Sequence, residues 1–166
     1  LTSAGIKILI EKLAVPPKIR EKLVGSVLMP QARLREGLAL AQTGLVTAAI
    51  DSSDGLAWSL HEISCASNVG FLIDKPPVAP ETYQFAKLYS LDPLELSLYG
   101  GEEYELIVTI NSKSWRKAKE AVVRHGGNLV KMGQVISEKI LLLKEKRRTV
   151  EIEARGYEHF RRKGSG

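Results

Sequence analysis

Cysteine, aromatic residues and long apolar runs are all scarce in this sequence of 166 residues. The single cysteine, Cys65, excludes an intrachain disulfide and a cysteine-rich metal site, and it fits a reducing cytoplasm. No apolar run approaches the roughly 18 residues that a membrane-spanning helix needs. The apolar start Leu1 to Ile10 has no basic leader and no small-residue cleavage site, so we expect no signal peptide. Its abrupt beginning without methionine is typical of a fragment, and processing is the alternative.

Positive charge is in moderate excess, with 24 Lys and Arg against 19 Asp and Glu and a net charge of +5. The basic residues concentrate in Lys144 to Arg148 and Arg161 to Lys163, and aromatic residues are not interleaved with them. A stacking surface for nucleic acid therefore has no support. We expect a solvated hairpin and a solvated tail instead. With 44% hydrophobic and 26% charged residues, the composition is typical of one soluble globular domain covering residues 1–166.

Helical and strand patterns occur in mixed order. A helix with Ser3 as its cap is predicted at Ser3–Ala14, and a second, after the break at Pro16-Pro17, runs to about Val27. Further helices are predicted at Leu34–Gln42, Gly55–Ser67, Glu81–Tyr89, Asp92–Leu98 and Ser114–His125. Strands are predicted at Val46–Ile50, Val69–Ile73, Tyr104–Ile110, Asn128–Val135, Lys139–Leu143 and Arg148–Glu153. The first strand is nearly all apolar, so we expect it to be buried on both faces. The order predicts an α+β fold, a mixed β-sheet with packed helices in α/β/α layers.

The first candidate site is the segment Asp51-Ser-Ser-Asp-Gly-Leu56, where a strand is followed by a helix. Ligand groups are often held at the carboxyl ends of strands in such arrangements. Two carboxylates three residues apart, Asp51 and Asp54, suit hard cations that prefer oxygen ligands. Ser53 and the unpaired amides of the helix start suit a phosphate. The alternative is structural, with Asp54 acting only as the N-cap of the helix.

The second candidate site is the segment Gly100-Gly-Glu-Glu-Tyr-Glu105. Its two glycines permit backbone conformations closed to other residues and let a ligand approach closely. Glu102 is expected in the loop, and Glu103 and Glu105 on one face of the following strand. These carboxylates suit a ligand's amino group. The alternative is a glycine loop that enters a strand and carries solvated acids.

The third candidate is Gly156-Tyr-Glu-His-Phe160, near the C-terminus. Tyr157 and Phe160 suit ring stacking on a ligand, or alternatively they hold the tail against the core. Trp58 and Trp115 fall in predicted helices and are expected to be packing residues. The histidines show no metal-ligand spacing, and the sequence has no P-loop and no glycine-rich dinucleotide motif.

Taken together and in this order, the three segments resemble thiamine-monophosphate kinase. Two shorter segments, Pro30-Gln-Ala-Arg-Leu34 and Gly133-Gln-Val135, support the resemblance. The opening Leu1-Thr-Ser-Ala-Gly5 is similar to the segment that links the two domains of that family. The resemblance covers nearly the whole chain but only the C-terminal half of the family's architecture. Aminoimidazole ribonucleotide synthetase, selenophosphate synthetase and a hydrogenase-maturation protein of the same superfamily lack the Ser-Asp-Gly-Leu and Gly-Gly-Glu combination.

The resemblance implies the C-terminal domain of the aminoimidazole ribonucleotide synthetase-like architecture, with an N-terminal domain outside this chain. It implies a homodimer through the N-terminal domains, with ATP and magnesium between domains. It implies transfer of the ATP γ-phosphoryl group to thiamine monophosphate, and hence a role in thiamine biosynthesis. The implied roles are magnesium ligands for Asp51 and Asp54, an ATP contact for Ser53, contacts to thiamine monophosphate for Glu102 and Tyr157, and weaker candidacy for Arg33, Gly100 and Gly101.

Two positions depart from the family pattern. Ser52 stands where a hydrophobic residue is usual, and Glu103 stands where the family usually has aspartate. Since the other acidic metal ligands belong to the N-terminal domain, we expect the chain alone to be inactive. Two other functions stay open: a non-catalytic nucleotide-binding or interaction domain, and a purine-pathway ligase of the same superfamily.

Overall fold

The chain forms an α+β fold in a computed structural model that describes residues 1–146 and 148–156. Seven helices are present in this part: α1 Thr2–Ile10, α2 Pro17–Leu28, α3 Leu34–Thr43, α4 Leu56–Ser67, α5 Pro80–Leu88, α6 Pro93–Leu98 and α7 Trp115–Arg124. A short 3-10 turn, Ser112–Ser114, precedes α7. The six strands are β1 Val46–Asp51, β2 Gly70–Ile73, β3 Leu106–Ile110, β4 Gly133–Ile136, β5 Leu141–Lys144 and β6 Thr149–Glu151.

Two sheets organise the strands. β1 and β3 pair antiparallel in a ribbon, in which Asp51 stands opposite Leu106. The second sheet has the order β4-β2-β5-β6, with β2 and β5 parallel and the two outer pairs antiparallel. The predicted mixed sheet and α+β class are therefore confirmed. β5 and β6 form the predicted hairpin, in which Lys144 pairs with Thr149.

Three apolar clusters hold these elements together. The largest joins α4 to both sheets and includes Leu60, which is fully buried. The second lies among α1, α2 and α5 around Ile8 and Phe85, and the third packs α3 and α7 on the ribbon around Leu40. Full burial of one such side chain contributes about 1.5–3 kcal/mol. The first cluster therefore fixes the start of α4 relative to the ribbon.

Turn residues explain several element ends. Pro17 begins α2, because its fixed φ and missing N–H suit the first helical turn. Gly44 ends α3 in the left-handed region, as predicted. The side chain of Asp92 caps α6 by accepting a hydrogen bond of 2.8 Å from the N–H of Leu94.

Several predictions about these elements were wrong. α1 ends at Ile10 rather than Ala14, and the strand expected from Asn128 begins at Gly133. β1 alternates half-buried and exposed residues, since it lies in a two-stranded ribbon rather than inside a wide sheet. Ser3 does not cap α1; its hydroxyl donates to the carbonyl of Leu96 at 2.6 Å. β3 starts at Leu106 instead of Tyr104, because Glu102 and Tyr104 both have positive φ.

Among the residues that the structure describes, no helix is long and apolar enough to cross a membrane.

Candidate functional site

The turn after β1 is anchored to the neighbouring strand through Ser52. Its backbone N–H donates to the carbonyl of Glu105 at 2.9 Å, and its hydroxyl accepts from the N–H of Glu105 at 3.3 Å. Ser52 is 4% exposed, so the hydroxyl that replaces an apolar side chain has a hydrogen-bond partner and little desolvation cost. This departure from the family pattern therefore leaves the turn in place.

A second anchor comes from inside α4. The hydroxyl of Ser59, itself buried, lies 2.9 Å from the carbonyl oxygen of Asp51 and 3.0 Å from that of Gly55, and donates to them. Gly55 is the N-cap residue of α4, with φ +102°, and no side chain caps the helix. The alternative in which Asp54 is only an N-cap is therefore wrong.

The two carboxylates of the turn point to solvent. Asp51 and Asp54 are both exposed. Among residues 1–146 and 148–156, neither side chain takes part in a hydrogen bond or an ion pair. Two unpaired carboxylates on an anchored turn form a suitable partial ligand set for a hard divalent cation. In the described part of the chain they belong to no group of three or more acidic, histidine or cysteine side chains able to hold a metal.

The glycine loop lies directly against this turn. The N–H of Glu102 donates to the carbonyl of Ser53 at 2.6 Å. A Cβ on Gly55 would stand 3.1 Å from the carbonyl oxygen of Gly100. The loop's other glycine, Gly101, is buried. The first two predicted segments thus meet at the end of the ribbon, and glycine at position 55 allows the close approach.

The three acids of the loop each have a protein partner. Glu102 accepts a hydrogen bond from the hydroxyl of Tyr104. Glu103 accepts from the N–H of Thr2 at 2.8 Å. Its negative charge beside the first amides of α1 complements the helix dipole. The prediction that Glu103 and Glu105 share one strand face was wrong, because both residues precede β3.

The third acid of the loop pairs with Arg33, the candidate for phosphate binding. The Arg33 guanidinium donates to both carboxylate oxygens of Glu105, at 2.9 and 2.6 Å. This hydrogen bond raises the pKa of Arg33, which stays charged. The fork that suits a phosphate is therefore engaged by a carboxylate in this structure.

The pKa of Tyr104 is shifted by the acids of both segments. Its hydrogen bond to Glu102 raises the pKa of the Tyr104 hydroxyl most, and the negative charges of Glu102, Asp51 and Asp54 add to the effect. The same hydroxyl thus senses acids from both segments. Sequence reasoning missed this residue, because the positive φ that turns Tyr104 toward Glu102 leaves no periodic signal.

The third predicted segment begins beside the same turn. A Cβ on Gly156 would stand 2.5 Å from the carbonyl oxygen of Asp54 and 2.8 Å from the Cβ of Trp58. Only glycine fits such contact with a helix start. Tyr157, the residue chosen for stacking, lies outside the described residues, as does Phe160.

Comparisons with known proteins show which family the chain resembles. Residues 4–144 match the family of AIR synthase related proteins, C-terminal domain. The thiamine-monophosphate kinase of Nitrosopumilus maritimus is 29% identical over 164 residues, which cover 96% of this chain and 50% of that protein. The corresponding kinase of Pyrococcus horikoshii is 44% identical over 98 residues, 58% of this chain and 28% of that protein.

The solved structure of AaThiL complexed with AMPPCP and TMP has the same fold. Its TM-score is 0.78 at 24% identity, over 96% of this chain and 48% of that one. The chain thus spans about half the length of the curated relatives it matches. The predicted resemblance to thiamine-monophosphate kinases is confirmed, and the chain belongs to the family of AIR synthase related proteins, C-terminal domain.

Proposed function

We propose that residues 1–166 are the C-terminal domain of an ATP-dependent thiamine-monophosphate kinase whose N-terminal domain lies outside this chain. One observation carries the proposal: the turn 51–55 and the loop 100–105, far apart in sequence, touch through Glu102 and Ser53 at 2.6 Å. The kinases that resemble this chain, and a relative complexed with AMPPCP and TMP, support it.

The reaction transfers the γ-phosphoryl group of ATP to the phosphate of thiamine monophosphate and gives thiamine diphosphate and ADP. The acceptor phosphate has a second pKa of about 6, so it is largely dianionic at neutral pH. A general base is therefore unnecessary. The main obstacle is the repulsion between two anions, which positioning and positive charge overcome.

Asp51 and Asp54 would hold Mg²⁺, and Ser53 would contact ATP beside them. The two aspartates fit this task because they are exposed and unpaired within the described residues, on a turn held by Ser52 and Ser59. When bound, Mg²⁺ neutralises phosphate oxygens and fixes their geometry. Mg²⁺ prefers six oxygen ligands. The N-terminal domain would supply the further ligands that complete its coordination shell.

Glu102 and Tyr157 would bind the cationic heterocycle of thiamine monophosphate. A carboxylate and an aromatic face suit a delocalised cation. Gly100, whose carbonyl lies close to Gly55, and Gly101 stay weaker candidates for close approach to the ligand. Arg33 stays a weaker candidate for the phosphate region, because a phosphate has to displace Glu105 from its guanidinium.

The whole enzyme would be a homodimer through the N-terminal domains, and we place it in the cytoplasm. An assay of the two-domain enzyme with ATP, Mg²⁺ and thiamine monophosphate tests the function. Equal amounts of ADP and thiamine diphosphate are expected. ATP binding without transfer would instead indicate a non-catalytic binding domain, and turnover of a purine ribonucleotide would indicate a ligase.

The chain alone should show no measurable turnover in the same assay. The reason is that Asp51 and Asp54 offer too few ligands for the ion. Turnover by the 166-residue chain at the typical enzyme rate of about 10 per second would contradict this part of the proposal.

A further inference from the structure

Residues 152–156, which follow β6 in sequence, form a short strap that runs to the turn 51–55. At its start, Ile152 is buried and its N–H donates to the carbonyl of Leu141 at 2.8 Å. At its end, Gly156 lies against Asp54 and Trp58. The strap therefore leaves the four-stranded sheet and arrives at the start of α4.

Arg155 fastens the strap to α6. Its guanidinium donates to both carboxylate oxygens of Glu95, at 2.6 and 2.7 Å. It also lies over the ring of Tyr99, 3.7 Å from the ring centroid, and forms an ion pair with Glu153 at 3.0 Å. These pairings with Glu95 and Glu153 hold Arg155 in its charged form and raise its pKa.

These contacts join two parts of the site that are distant in sequence. Tyr99 ends α6 and is followed directly by Gly100 and the loop that carries Glu102. Gly156 precedes Tyr157. One side chain thus connects the residue before the glycine loop with the strap that leads to the third segment.

The form of the interaction matters because an isolated exposed ion pair stabilises little. Here one guanidinium nitrogen, Nη2, donates to both oxygens of Glu95, Nε faces Glu153, and the planar group covers the ring of Tyr99. Lysine has one charged nitrogen and no planar group, so it cannot face both acids and cover the ring in this way. A second surface pair, Arg148 with Glu145 in the β5–β6 hairpin, is 72% and 32% exposed, with one hydrogen bond of 2.7 Å and, within the described residues, no ring contact.

We propose that Arg155 is a positioning residue for the acceptor substrate. By holding the strap to α6 and Tyr99, it keeps the glycine loop and its acceptor-side group Glu102 beside the turn 51–55. This inference rests on the proposed function. It predicts that loss of the guanidinium weakens binding of thiamine monophosphate and leaves ATP binding unchanged.

Steady-state kinetics of the two-domain enzyme test whether Arg155 affects binding of thiamine monophosphate. Arg155→Gln should raise the KM for thiamine monophosphate roughly tenfold and leave the KM for ATP and kcat nearly unchanged. Arg155→Lys should restore only part of the loss, and Glu95→Gln should act in the same direction. Arg148→Gln is the matched control and should change neither KM. An unchanged KM for thiamine monophosphate, or equal rises in both KM values, would overturn the proposal.

A second measurement needs no activity. In the 166-residue chain with Trp115→Phe, Trp58 is the remaining tryptophan, and Gly156 lies against the base of its side chain. Arg155→Gln should increase quenching of its fluorescence by acrylamide, whereas Arg148→Gln should not. Unchanged quenching would overturn the role of Arg155. If the wild-type two-domain enzyme made no thiamine diphosphate, the proposed function would fail, and the quenching would still decide whether Arg155 holds the strap.

Discussion

The turn 51–55 and the loop 100–105 both carry acids to the same end of the ribbon, but they use them differently. Within the described residues the turn leaves Asp51 and Asp54 unpaired, and hydroxyls of Ser52 and Ser59 hold its backbone. The loop pairs each of its acids with a protein group, from Tyr104, Thr2 and Arg33.

The difference separates the proposed metal ligands, Asp51 and Asp54, from acids that hold the fold. Serines bonded to the backbone place the turn without using its carboxylates, which stay available for a cation. In the loop, Glu103 holds α1 and Glu105 holds Arg33 at the start of α3. Glu102 instead bonds to the hydroxyl of Tyr104, which also lies in the field of Asp51 and Asp54. Substitutions in the two segments should therefore have distinct effects.

The largest effect is expected at the turn. Asp51→Asn and Asp54→Asn should each lower kcat of the two-domain enzyme by roughly 100-fold or more, since a charged ligand is lost at the reacting phosphates. Unfolding free energy should change by less than about 0.5 kcal/mol, because both side chains are exposed. Asp74→Asn, at an exposed aspartate directly after β2, is the control for both measurements. Full activity in either turn variant would remove that residue from the proposed site.

The next largest effect is expected at Glu102 in the loop, with Glu105 as the comparison. Glu102→Gln should raise the KM for thiamine monophosphate about ten- to hundredfold, since a charged hydrogen bond contributes about 1.5–3 kcal/mol. Glu105→Gln should leave that KM nearly unchanged and cost at most about 1 kcal/mol of stability, because its pair with Arg33 is exposed. Steady-state kinetics and urea unfolding separate the two. Equal KM effects would contradict the division of roles.

The contact between turn and loop should be sensitive to a single methyl group. Gly55→Ala should destabilise the chain by about 1–3 kcal/mol, because φ is +102° and the carbonyl of Gly100 is close. Gly25→Ala is the control, since open space surrounds this position in α2 and alanine favours helices. Its expected change is a gain of up to about 1 kcal/mol. Thermal unfolding followed by circular dichroism distinguishes them, and a neutral Gly55→Ala would show that the contact is loose.

The smallest effect concerns the hydroxyl between the two segments. Because the pKa of Tyr104 is raised, its protonated form is favoured in the folded chain. The contribution of this protonated hydroxyl to folding stability is fully present below the ordinary tyrosine pKa of about 10. It is lost as pH rises through the raised pKa of Tyr104 in the folded chain. Absorbance titration near 295 nm of wild type minus Tyr104→Phe should show this late step, and Glu102→Gln should move it to lower pH. A step at or below the ordinary value would contradict the hydrogen bond.

Much of this arrangement could be predicted from local patterns. The helix stop at Gly44, the cap at Asp92 and the closing hairpin follow from single residues and periodicity. The acids of the turn followed from their position after a strand. These features depend on neighbours in sequence, which a sequence displays directly.

Other features depend on contacts between distant segments. Ser3 looks like a cap, but Glu103 supplies the acceptor for α1 from about a hundred residues away. β3 starts late because Glu102 and Tyr104 adopt left-handed backbone conformations. Neither is a glycine or an asparagine, so the sequence gives no sign of this conformation. Arg155 carries no motif, and its importance appears only when α6 and the strap are seen together.

The central claim is that the turn, and not the loop, supplies ligands to the divalent cation. Asp51→Cys, Asp54→Cys and Glu105→Cys in a Cys65→Ser background of the two-domain enzyme test it, with turnover measured in Mg²⁺ and in Cd²⁺. Thiolate prefers the softer ion, so the two turn variants should lose activity in Mg²⁺ and raise the Cd²⁺ to Mg²⁺ activity ratio roughly tenfold or more over the background. Glu105→Cys should leave that ratio unchanged. An unchanged ratio in both turn variants, or an equal rise in the loop variant, would contradict the account.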